Sequence, residues 1–220
     1  MSFFRLLSIL TSLVPVILSL GIIIGIYYYP FLQSKYRYFL LYTGICLVTD
    51  ITSRFAGELM GNNLIFFVVF SLLELLFFSA FYRKFFFEKN RVKHLLLTAG
   101  AAVYILSEIY LLFKVTPEEF QMYSKTLSSF VILLMAIDFL FEILKKEQID
   151  PALLKYNSIF IIYFSVSLIF FLPVNFLINV PESFKFYFWC VHLLLTILLY
   201  TFIVIEIWKN GSKQKQLRHG

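Results

Sequence analysis

Residues 48–59 read Val48-Thr49-Asp50-Ile51-Thr52-Ser53-Arg54-Phe55-Ala56-Gly57-Glu58-Leu59, with three charges at a spacing of four in a chain rich in Phe, Leu, Ile and Tyr. That spacing puts Asp50, Arg54 and Glu58 on one face of an α-helix. In a soluble protein such a face is wet surface. In a membrane protein it turns inward, because an ionised side chain in hydrocarbon is costly and seeks the interior of the bundle. The rest of the chain decides between the two.

The 220 residues are 60% hydrophobic and 15% charged, whereas a soluble domain carries about a quarter of its residues as charges to wet its surface. The 28 Phe have no place in so thin a polar coat. Lipid is the solvent this composition fits. Cys46 and Cys190 both lie in apolar runs, which points to neither a disulfide framework nor a thiolate metal site.

A helix rises about 1.5 Å per residue, so roughly 20 apolar residues cross the hydrocarbon core. Seven runs meet that length: Leu6–Tyr29, Tyr38–Leu59, Leu64–Tyr82, His94–Phe113, Lys125–Leu144, Tyr156–Ile178 and Phe184–Trp208. The first 29 residues lack a small-residue cleavage site and read as the first span, not as a removable signal. The expected class is all-α: a polytopic protein of seven transmembrane helices, multi-pass in the cell (inner) membrane. The connections are short, so neighbouring helices run antiparallel and any output passes through a partner or through the membrane itself.

Orientation follows from Lys and Arg. Lys35 and Arg37; Arg83, Lys84, Lys89, Arg91 and Lys93; Lys145, Lys146 and Lys155; and Lys209, Lys213, Lys215 and Arg218 all fall on one side, 14 of the 19 bases. Arg5, Arg54, Lys114, Lys125 and Lys185 make up the other side. The N-terminus is expected outside and the C-terminus in the cytoplasm. Because the bases are scattered between apolar segments, the net charge of +6 indicates topology and no nucleic-acid partner. The partner these residues address is the lipid bilayer. Gly21-Ile22-Ile23-Ile24-Gly25 is a GxxxG step that permits close helix packing, within this chain or in a homo-oligomer.

A shift of 122 residues lays the third span on the seventh, with Phe66/Phe188, Val69/Val191, Leu72/Leu194, Leu73/Leu195 and Leu76/Leu198 identical. A shift of 121 lays Tyr42 on Tyr163. The layout this suggests is a first three-helix bundle over residues 1–90, a linking fourth helix over 91–122, a second three-helix bundle over 123–209 and a cytoplasmic tail over 210–220. Parallel repeats of this kind are a known transporter plan with sites near mid-membrane. In helix count and orientation the chain resembles the SWEET sugar transporters and the microbial rhodopsins, although it carries no motif of either. Its "LLELLFFSAFY" pattern also resembles a loose class of small bacterial seven-helix proteins, some associated with sensor kinases. Rhodopsins hold retinal on a lysine in the middle of helix seven. The nearest lysine here is Lys185, at the rim of that helix, which argues against retinal or any other cofactor of that kind.

The polar groups inside the spans are the candidate site. Asp50, Arg54 and Glu58 come from helix two, Glu74 from mid-helix three, Tyr104 and Glu108 from helix four, Asn175 from helix six, and Trp189 and His192 from helix seven. Given the expected orientation, they gather in the outer half, with Glu74 as the floor. Asp138 of helix five lies in the inner half and is the candidate proton relay. Several have an architectural counterpart: a register-fixing pair for Asp50–Arg54, a carboxyl bonded to a neighbouring helix for Glu74, a satisfied bundle histidine for His192.

Three functions suit such a layer. The first is a sensor or receptor-type module that binds a small ligand or protons in an outward-facing pocket and signals through a membrane partner. The second is a small-solute or proton-coupled transporter, in which Asp138 continues the path inward. The third is an intramembrane enzyme that uses Glu74, His192 and nearby acids for metal or acid–base chemistry.

Overall fold

In the computed structural model, residues 3–87, 92–114, 122–145, 150–174 and 182–219 are described. Among them are α1 (Phe3–Tyr28), a 3-10 turn (Tyr29–Phe31), α2 (Ser34–Met60), α3 (Leu64–Phe85), α4 (Val92–Leu112), α5 (Ser124–Ile143), α6 (Pro151–Val174) and α7 (Glu182–His219). Seven helices among the described residues are long and apolar enough to cross a membrane. Their outward side chains agree with that: Ile26, Val103, Ile169 and Leu198 are exposed, a surface that hydrocarbon solvates and water does not.

Local chemistry sets the boundaries. Pro30 opens the 3-10 turn and lacks the N–H that would continue α1. Gly61, at φ +67°, closes α2 in the left-handed conformation, and its N–H bonds to the Gly57 carbonyl at 3.1 Å. The Asn62 side chain then accepts from Leu64 N at 2.9 Å where α3 begins. Asp150 caps α6 by accepting from Ala152 N at 2.8 Å, with Pro151 as the first helical residue.

The chain forms two compact units, residues 1–55 with 186–220, and residues 56–185. In the first, the α1 glycine step is used within the chain. A Cβ on Gly21 would lie 2.5 Å from Val204 of α7 and 3.1 Å from Thr43 of α2, and one on Gly25 would collide with the Leu40 side chain of α2. The two glycines leave room for the Val204, Thr43 and Leu40 side chains to pack directly on the α1 backbone. Tyr42 meets Tyr200 edge-on at 6.4 Å between centroids.

In this unit α7 continues through the segment 210–219 as helix. The Asn210 side chain accepts from Gln33 N at 3.1 Å, and Lys215 donates to the Tyr27 hydroxyl at 2.8 Å. Gly211 lies against Tyr28, where a Cβ would be 2.5 Å from the tyrosine Cβ. An atom that close to the backbone cannot swing away. Gly211→Val is therefore expected to cost about 1–3 kcal/mol by overpacking and to lever the end of α7 off α1. Faster limited proteolysis after Lys213 and Lys215 would register it.

The second unit is the packed assembly of α3, α4, α5 and α6. Its core is aromatic: Phe78 meets Phe164 at 4.8 Å and Phe160 at 5.0 Å, and Phe86 meets Phe139 at 4.5 Å, all edge-to-face. Rings at these distances prefer this geometry, which adds about 0.5–1.5 kcal/mol per pair beyond area burial.

Candidate functional site

The opening stretch folds as α2, and its first two charges bond to each other. Arg54 donates through Nε to Asp50 at 2.7 Å and through a terminal nitrogen to its second oxygen at 3.2 Å. The same terminal nitrogen donates to the Thr11 carbonyl of α1 at 2.7 Å. The pair thus ties α2 to α1. It is not deeply enclosed by this chain, since the side chains are 40% and 23% exposed. Glu58, two turns beyond Asp50, is exposed.

Glu74 is different. Its side chain is 0% exposed, and the Lys125 ammonium, 7% exposed, donates to its carboxylate. Lys125 also lies 5.3 Å from the Phe70 ring centroid and 5.9 Å from that of Tyr163. Glu74 of α3 and Lys125 of α5 are therefore opposite charges held in an aromatic collar. Hydrocarbon and aromatic rings screen poorly, so the pair attracts strongly, and either partner alone would be stranded.

The second acid of this layer serves the same helix. The buried Glu108 carboxylate of α4 accepts from Tyr123 N and Ser124 N, each at 2.9 Å. It caps α5 from another helix and places a full negative charge at the positive end of the α5 dipole. Tyr104, one turn earlier on α4, lies beside the same carboxylate. The cap holds the turn that carries Lys125, so Tyr104, Glu108, Lys125 and Glu74 form one connected group.

The same turn is rich in hydroxyls: Ser124-Lys125-Thr126-Leu127-Ser128-Ser129. Ser128 donates back to the Lys125 carbonyl at 3.1 Å. The side-chain oxygens of Ser124, Thr126 and Ser129 are buried and make no hydrogen bond among the described residues. Ser129 lies one turn from Lys125 on the same face of α5. Buried hydroxyls without partners are uncommon in native proteins, and each costs about 1–3 kcal/mol.

Asp138 lies about 20 Å along α5 from Lys125 at 1.5 Å per residue. One oxygen receives both Lys93 Nζ at 2.8 Å and His94 Nε2 at 3.0 Å, the two bases coming from the start of α4. Phe87 stacks on the His94 ring at 4.4 Å and 11°. Between the two stations, Tyr82 donates to the Asn157 side-chain oxygen at 2.8 Å, and Asn157 donates to the Ala136 carbonyl at 3.0 Å. Ser79 and Thr98 share a hydrogen bond at 2.9 Å.

Of the residues singled out in the sequence, the structure thus joins Glu74, Tyr104 and Glu108 through the start of α5. It joins Asp50 and Arg54 to each other and to α1. Trp189 is exposed, and His192 is half-buried, its carbonyl accepting from Thr196 Oγ1 at 2.9 Å. Asn175 lies outside the described residues. No group of three or more His, Cys, Asp or Glu among the described residues is placed to hold a metal ion.

Lys125, His94 and Asn157 are functional candidates that sequence reasoning missed. Lys125 counts there as a rim charge, yet a signal was present: an acid at mid-span needs a cation, and Lys125 is flanked by hydroxyls where a rim lysine has no need of them. No protein family, curated protein or solved structure matches the chain.

Proposed function

We propose that the protein is a membrane sensor of receptor type, with its N-terminus outside and its C-terminus in the cytoplasm, and that the Glu74–Lys125–Glu108 group is its switch. The stimulus is a proton or a small polar ligand reaching the group from outside, and the output passes to a membrane partner. One observation carries this reading: a buried ion pair joins α3 to α5, on a stretch of helix where the Ser124, Thr126 and Ser129 hydroxyls make no hydrogen bond among the described residues. A proton on Glu74, or a ligand that takes Lys125 and the free hydroxyls, removes that attraction and favours a second packing of α5. A ligand shifts such an equilibrium by its differential affinity for the two packings.

Hydrogen exchange on the protein in lipid nanodiscs tests this. Protection of the first two turns of α5 is expected to change on acidification, or on adding one of a panel of small carboxylates and amines. In Glu74→Gln the response is lost. Protection that is indifferent to every condition in the wild type would end the proposal.

A second reading, a proton-coupled transporter, draws on the Asp138–Lys93–His94 station at the other end of α5. There Asp138 relays protons toward the cytoplasm. Proton flux in proteoliposomes, abolished by Asp138→Asn, separates it from the sensor.

A further inference from the structure

The end of α7 lies outside this reading. From residue 207 to 219, and from residue 3 to 49, the sequence holds no Asp or Glu. The fold brings these two acid-free stretches together in one unit through the Gln33–Asn210 and Tyr27–Lys215 bonds. Arg218 lies 5.7 Å from the Phe31 ring centroid, and Arg37 lies 4.9 Å from that of Tyr29. Lys215, Arg218 and Arg37 are therefore spent on tyrosine and phenylalanine rings, which brace the helix end. Lys209 and Lys213 are exposed. They line a shallow cleft with Trp208, Ser212 and Gln216 on a single face of α7.

That cleft stands directly after the apolar part of α7, and an indole at such a place sits at headgroup level. It offers two ammonium groups one turn apart, a hydroxyl and an amide. These are donors for phosphate oxygens, next to an aromatic wall that suits a glycerol backbone or acyl chain. We infer that the cleft of Trp208, Lys209, Ser212, Lys213 and Gln216 binds the headgroup of an anionic phospholipid. Charge complementarity selects the anionic over the zwitterionic lipid, since Lys209 and Lys213 are exposed while Glu206, one turn before Lys209, is buried. The bound lipid would clamp α7 at the point where α1 and the α1–α2 connection pack on it.

Native mass spectrometry of the purified protein, delipidated and then titrated with phosphatidylglycerol or phosphatidylcholine, tests the inference. A basic residue near an anionic surface is worth about 1 kcal/mol, or roughly fivefold in affinity. Lys209→Ala with Lys213→Ala is therefore expected to weaken phosphatidylglycerol retention roughly thirtyfold and to leave phosphatidylcholine retention unchanged. Both side chains are exposed, so the fold survives the change, which an unaltered melting temperature in neutral lipid checks. Lys145→Ala, an exposed lysine after α5, is expected to have no effect. Equal retention by wild type and the double variant, an equal loss in Lys145→Ala, or displacement of the lipid by inorganic phosphate at matched concentration would overturn the inference.

Discussion

Glu74→Gln lowers the stability of the protein by about 3–5 kcal/mol, because it leaves the Lys125 ammonium buried without its counter-charge. Lys125→Met does the same to the carboxylate. The double variant Glu74→Leu with Lys125→Met regains most of the loss. A buried ion pair replaced by apolar groups of similar volume is often neutral or better, and here the surroundings are the rings of Phe70 and Tyr163. Thermal unfolding in one detergent of wild type, Glu74→Leu, Lys125→Met and the double variant closes the cycle and reads this as a large positive coupling. Equal, additive losses would mean that the two charges do not sense each other. A double variant as stable as wild type but unresponsive in hydrogen exchange would show that the pair is kept for switching and not for stability.

Glu108→Ala has an effect of similar size by a different route. Two N–H groups, one buried and one part-buried, lose a charged acceptor, and hydrogen bonds to charged groups contribute about 1.5–3 kcal/mol each. A loss of about 3 kcal/mol is expected from this arithmetic. It should appear first as fraying of α5 at Tyr123 and Ser124, seen as faster amide exchange there. Glu108→Gln keeps one acceptor oxygen and is expected to lose about half as much. Since the frayed turn carries Lys125, Glu108→Ala and Glu74→Gln should be strongly non-additive, as residues of one network are. Additivity within a few tenths of a kcal/mol would separate the cap from the ion pair.

The seven helices were legible because hydrocarbon imposes a length and a composition that few other structures share. Their ends were less so. The start of α6 was written in Asp150-Pro151, a cap followed by a first-turn proline, but a hydropathy reading begins only where the apolar run does, near Tyr156. The end of α7 escaped for the opposite reason: Lys, Gln and Arg form helices well in water, and a polar helix gives no apolar signal. Glu74 and Glu108 stood out as costly residues. What they bond to did not, because Lys125 lies 51 positions from Glu74 and helical period reports faces, not neighbours. For Asp50 and Arg54 the pairing was visible at i, i+4, while the Thr11 carbonyl that completes it was not. Backbone acceptors carry no mark in a sequence.

The glycine step of α1 also sets a timetable. Gly25 meets Leu40 of the next helix almost as soon as both are made. Gly21, however, faces Val204, about 180 residues later in the chain. At the usual 5–20 residues per second of synthesis, the groove at Gly21 stands open for on the order of ten seconds before α7 arrives. The first helix out is thus the last to be finished, and any truncation ahead of α7 leaves its groove exposed for good.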